Sequence, residues 1–195
     1  MKLTQQQFLR HLYELKREIQ MADFPPNYFS DIKFYKDAAI KNEKRESGYI
    51  GLNCYAYALQ FKKMVLDCGS RWYCPGFLSD RIPYDGYNKE NLIDAVINDL
   101  LYLGLDYRET SIFGKANFNA YKIGILLGEE DKEKEEKPDF HFARTNQVVK
   151  NNQDNLWSHM KGRNGEIEII DDPSKIEGYQ LIKVLEISKK SGIIV

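Results

Sequence analysis

Histidine and cysteine are scarce in this chain: its 195 residues hold three of each. Charge of one sign is lacking too. With 28 basic against 29 acidic side chains and a formal charge of −1, there is no positive field of the kind that polyanion binding requires, so nucleic acid is not the expected partner. Long apolar runs are absent: Arg10, Glu14, Lys16, Arg17 and Glu18 interrupt the N-terminal segment. No signal-peptide core or membrane span is read there, and a cytoplasmic, membrane-free protein is expected. No Cys-x-x-Cys or His-Glu-x-x-His occurs, and five residues separate Cys68 from Cys74, so no metal is expected. Without a phosphate loop, a Gly-x-Gly-x-x-Gly turn or a Gly-x-Ser-x-Gly elbow, nucleotide and serine-hydrolase chemistry have no anchor and no cofactor is expected. Cys54, Cys68 and Cys74 make an odd count. Reduced thiols are the expectation, with a Cys68–Cys74 bridge as the alternative for a protein that leaves the cell by another route.

What is present is enough apolar material, 43% of the residues, for one well-buried core. Phe8, Leu12, Leu15 and Ile19 recur at helical spacing, which predicts an amphipathic helix from Thr4 to Met21, ended by Asp23 and Pro25-Pro26. A short helix is expected near Tyr35 to Lys41. Asn53 is placed as an N-cap for a helix running to about Asp67, with Cys54 at its first position. Leu92, Val96, Leu100 and Leu103 predict a helix over Lys89–Leu103, closed by Gly104. The period then shortens. Tyr121–Leu127, the alternation around Phe140 and Phe142, Ile167–Ile170 after the hairpin signal Asn164-Gly165, and Tyr179–Ile187 read as strands. Between the first two, the charged tract Glu129–Lys137 has no apolar residue and reads as a solvated hairpin loop. Helices followed by antiparallel strands give an α+β fold class.

Three short segments carry chemistry: Asn53-Cys54-Tyr55-Ala56-Tyr57-Ala58-Leu59, Asp139-Phe140-His141-Phe142-Ala143-Arg144 and Trp157-Ser158-His159. A thiol attacks as thiolate, and a helix N-terminus lowers a cysteine pKa through its unpaired amides, so Cys54 is the candidate nucleophile. His141 is the candidate base, because alternation sets it on the face opposite Phe140 and Phe142. His159, on the following strand, is the candidate that orients the imidazole, with Asn146 and Asp171 next in line. The Cys54 amide is a natural oxyanion donor, and Tyr49 or Asn53 is the second. The plainer reading is a small buried cysteine among alanines and two satisfied histidines.

These segments, with Pro75-Gly76, Met160-Lys161-Gly162 and Gly178-Tyr179, resemble a group of bacterial and phage proteins carrying Asn-Cys-x-x-Tyr-Ala-Leu, Asp-Tyr-His-x-Tyr-Arg and Trp-Ser-His-Lys motifs. The Cys-His-His order is similar to the NlpC-type branch of the papain-like cysteine hydrolases. The resemblance covers roughly residues 48 to 188. It implies a papain-like catalytic domain over 48–195 with residues 1–47 as a helical extension packed on it, and Cys54, His141 and His159 as nucleophile, base and third member. The expected activity is cleavage or transfer at a peptide or isopeptide amide through a Cys54 thioester, with a peptide or protein amide as the partner. The expectation from a different class is a catalytically idle papain-like fold that binds partners through Tyr73, Tyr84 and Tyr87.

Overall fold

Leu12, Leu15 and Ile19 lie on one stripe of helix α1 (Gln5–Met21) and are fully or nearly fully buried, which draws the helix onto the core instead of leaving it in solvent. The computed structural model describes residues 5–27, 31–35, 49–50, 52–62, 65–66, 73–129, 138–146, 156–161 and 166–190. After α1 come a helical stretch at 31–35 (α2), strand β1 (Tyr49–Ile50), helix α3 (Cys54–Ala58), strand β2 (Val65–Leu66) and helix α4 (Lys89–Leu103). Strands β3 (Leu105–Glu109), β4 (Ala120–Gly128), β5 (Phe140–Asn146), β6 (Leu156–Lys161), β7 (Glu166–Ile170) and β8 (Tyr179–Lys189) follow. They form one antiparallel sheet in the order β3-β8-β4-β5-β6-β7, so the last strand returns to pair between β3 and β4. This is an α+β architecture. Among the described residues no helix is long and apolar enough to cross a membrane.

The sheet has two apolar faces. Ile123, Ile125, Phe142 and Met160 join α1, α3 and α4 in the larger core, whereas Leu126, Ala143, Trp157 and Val184 form a smaller one under Ile170, Ile176 and Leu181. Strand alternation therefore puts successive residues of β5 into different environments.

Helix α3 is far shorter than the sequence suggests. It ends at Ala58 because Gln60 takes a left-handed φ of 62°. The Phe61 amide then donates to Ala56 O at 2.8 Å and the Gln60 amide to Tyr57 O at 3.1 Å, the paired bonds that close a helix with the chain turning back. Burial drives the turn, since Leu59 and Phe61 are both fully buried. Strand β3 was not legible in advance, because only Leu105 of it is buried and the other positions face solvent. The expected helix near Tyr35 to Lys41 lies almost entirely outside the described residues, as do the Asn164-Gly165 turn, Cys68 and all of the charged tract except Glu129. Helix α4 has the expected bounds, a reciprocal Asn88/Asn91 cap and Gly104 at φ 72°.

Asp99, on the inner side of α4, ties that helix to the loop after Cys74. Its carboxylate accepts from Tyr55 Oη (2.8 Å), the Gly76 amide (2.8 Å), the Ser79 amide (2.8 Å) and Ser79 Oγ (2.6 Å). Gly76 cannot carry a side chain, since its φ is 85° and an added Cβ would lie 2.5 Å from Arg81 O. Burial pushes the Asp99 carboxyl from 3.8 up to about 6, with the four donors pulling the other way. The folded protein thus holds this proton to a higher pH than the unfolded chain does. The stabilising share of the group is complete below the unfolded value and declines as pH rises through about 6. In Asp99→Asn, thermal melts across this window should lose the decline that the parent shows; parallel curves for the two proteins would contradict it.

Candidate active site

Cys54 is buried at the first position of α3, where Asn53 holds the cap: Asn53 Oδ1 accepts from the Ala56 amide at 3.0 Å, and Nδ2 donates to Tyr73 O at 2.6 Å. Both ends of that carboxamide are committed, which gives Asn53 a positioning part. Tyr49 lies in β1 opposite Leu66, and its side chain is outside the described residues. Cys54 Sγ sits 4.0 Å from the carbonyl oxygen of Phe140, the residue immediately before His141.

His141 projects from β5 on the face away from Phe140 and Phe142, whose rings pack together at 5.9 Å. Ala143 pairs with His159 across β5 and β6, so His141 and His159 are diagonal neighbours on one face. Their imidazoles meet at 2.7 Å, His141 Nε2 to His159 Nδ1. The other nitrogen of His159, Nε2, lies 3.2 Å from Glu168 Oε2 on β7, directly opposite in the β6–β7 register. Glu168 in turn meets Lys161 Nζ at 2.7 Å. Tyr179 stacks at a tilt on His141, 5.0 Å between ring centres. Among the described residues no hydrogen bond joins Cys54 to His141 directly; both line a cleft of about 1160 Å³ together with His159, Glu168 and Tyr179.

The direction of the protons follows from the chain of partners. Glu168 is held below the usual carboxylate range, first by its hydrogen bond to Lys161, so it is an acceptor. His159 must then present Nε2–H to it, which leaves Nδ1 as a lone pair that accepts from His141 Nε2–H. The atom left over on a neutral His141 is Nδ1, a lone pair. Burial, and then the neighbouring His159, push His141 down to about 4. His159 is also lowered by burial, against Glu168, which raises it.

The expected depressed thiol pKa is not found. Burial, then the charge of Asp139, raise Cys54 to about 12, outweighing the backbone amides of Phe142, Tyr55 and Cys54 itself, which pull the other way. A five-residue helix offers little dipole to oppose this. A resting thiolate–imidazolium pair needs the thiol to be the stronger acid, and burial moves both groups the other way, the thiol up from 9.0 and the imidazole down from 6.5. What rests here is a neutral thiol and a neutral, oriented imidazole that line one cleft.

Glu168 is the residue of this cluster that the sequence reading missed. Its signal was present in the alternation Glu166-Ile167-Glu168-Ile169, which sets both glutamates on one face. Among the described residues neither Asn146 nor Asp171 is hydrogen-bonded to His141. Asn146 bonds Arg144 and Ser158 on the opposite face of β5, and Asp171 is an exposed residue at the cleft rim. Cys54 and Cys74 are not in a disulfide, and among the described residues no three of His, Cys, Asp and Glu are grouped to hold a metal.

Imidazole titration followed by NMR should give His141 a midpoint near 4, and long-range nitrogen–proton spectra at neutral pH should show protonated Nε2 on both rings. Glu168→Leu removes the acceptor that fixes the order and should mix the tautomers of both histidines, whereas unchanged spectra would contradict the relay. Compared with protein-family models, with curated proteins and with solved structures, the chain matches none.

Proposed function

We propose that this protein is a cysteine hydrolase or acyl-transfer enzyme of papain-like type, acting on an amide bond through a thioester on Cys54. The observation that carries the reading is the Glu168–His159–His141 relay: it leaves a lone pair on Nδ1 of His141, a residue that lines the same cleft as a thiol at a helix start. In this reading His141 Nδ1 takes the thiol proton as sulfur attacks the carbonyl carbon, so no resting thiolate is needed. The same nitrogen then returns the proton to the departing amine, and water or an amine releases the acyl group. His159 and Glu168 act through His141 as positioning residues. Substrate binding has to bring Sγ within reach of Nδ1, a tightening expected of catalytic hydrogen bonds that are long in the free protein.

One observation favours a second reading, a catalytically idle fold that binds partners: the absent Cys54–His141 hydrogen bond together with the raised thiol pKa. The tyrosine surface imagined for that role is reduced, however, because Tyr73 is buried at 1% exposure while Tyr84 is 98% exposed. Tyr87 is half-buried, donating to Pro75 O at 2.9 Å.

Reactivity separates the two. With iodoacetamide near neutral pH, Cys54 of the enzyme should be alkylated faster than Cys74 and should slow by about a hundredfold or more in His141→Ala, a loss in the range of general-base contributions. A binding module should show neither effect. His159→Asn can still accept from His141 and should keep part of the Cys54 rate, whereas His159→Leu should lose most of it. Equal rates in the His159→Leu protein and the parent would remove His159 from the site.

A further inference from the structure

The cleft that holds Cys54 and His141 is strongly acidic in a chain that is nearly neutral overall. Among the described residues, Asp80, Asp139, Glu168, Asp171, Asp172 and Glu177 line it, against Lys161 and Lys175. The formal charge of the whole chain is only −1, so the imbalance is local. Lys161 and Glu168 pair at 2.7 Å and offset each other, which leaves five carboxylates against Lys175 among the described lining residues. Asp139 stands next to Phe140, and its charge is felt at Cys54 and at Tyr179. Interleaved with the carboxylates are apolar walls from Ile82, Tyr84, Ile169 and Ile176, of which Tyr84 is 98% and Ile169 46% exposed. A wall that alternates carboxylate with aliphatic or aromatic surface suits a side chain with an apolar stem and a cationic head.

The peptide character of the occupant has its own support. β7 ends the strand order, and its consecutive residues Glu168, Ile169 and Ile170 line the cleft. An extended segment laid beside an end strand gains main-chain pairing, while alternate side chains meet the walls.

We propose that the cleft selects a basic peptide segment, one bearing lysine or arginine side chains next to the amide presented to Cys54. The proposal rests on the reading of Cys54 as nucleophile, and charge selection can be measured apart from it. Methanethiosulfonates with a positive aminoethyl, a negative sulfonatoethyl or a neutral methyl group convert a thiol to a mixed disulfide and release methanesulfinate, with no catalysis required. Rates at Cys54, followed by the mass of its peptide and normalised to free cysteine, should favour the cationic reagent over the anionic one by about tenfold at low salt. Added salt should shrink the preference. In the variant with Asp139→Asn, Asp171→Asn and Glu177→Gln, all exposed positions outside the relay, it should fall by about threefold or more.

No preference in the parent, or one undiminished in that variant, overturns the proposal. If the neutral reagent modifies Cys54 equally fast in the parent and in His141→Ala, the nucleophile reading fails while the charge preference still reports on the cleft. For the occupant, a heptapeptide alternating lysine and alanine should protect Cys54 from the neutral reagent, and its glutamate–alanine counterpart should not. Protection by spermidine with none from the lysine peptide would overturn the peptide assignment.

Discussion

Arg144 is the interaction on which the rest of the structure hangs. Its guanidinium is completely buried, and a charge in that position requires a partner for each of its nitrogens. It finds Asp31 of α2, Asn146 on its own strand at 2.9 Å and the Tyr57 carbonyl of α3 at 2.6 Å, with the Tyr57 ring 3.9 Å from its centre. Tyr57 Oη continues the network to Ser158 on β6 at 2.6 Å. One cation thus joins α2 and α3 to β5, with β6 linked through Tyr57. Because Arg144 and His141 are an odd number of residues apart on one strand, they face opposite sides of the sheet. Arg144 sets where α3, and so Cys54, can sit, while leaving the His141 face to the relay.

That division explains why the sequence segments looked denser than a three-residue site requires. Tyr57, Arg144 and Ser158 each come from a different one of the three segments and meet in a single buried cluster. They place the helix. Cys54, His141 and His159 come from the same three segments and line the cleft.

Much of this was legible from periodicity and caps. The stripe of α1, the bounds of α4, the Asn53 cap and the alternation that separates His141 from its phenylalanine neighbours are all local properties, and local rules reach them. Three things lay beyond those rules. The early end of α3 depends on Phe61 being drawn into the core, a tertiary demand that overrides an unbroken helical pattern. The strand Leu105–Glu109 is an edge strand exposed at all positions but one, so no alternation marks it. Glu168 could be placed on a face but not opposite a partner. A two-residue Asn164-Gly165 turn would pair position 163 with Glu166, whereas the structure pairs Lys161 with Glu166. The shift of two keeps the face and changes the neighbour, bringing Glu168 to His159. The direction of the Cys54 pKa shift was misjudged for a related reason: helix position is visible in sequence, and the depth at which the thiol is buried is not.

The proposed enzyme, with a neutral thiol served by an oriented imidazole, makes a kinetic claim distinct from that of an ion pair. Acylation of Cys54 by p-nitrophenyl acetate under single-turnover conditions measures it directly through the burst of nitrophenolate. The rate should rise with the ionisation of His141 near pH 4, stay level through neutrality, and collapse in His141→Ala. A rate that follows only the ionisation of an ordinary thiol, with His141→Ala indistinguishable from the parent, would contradict the account.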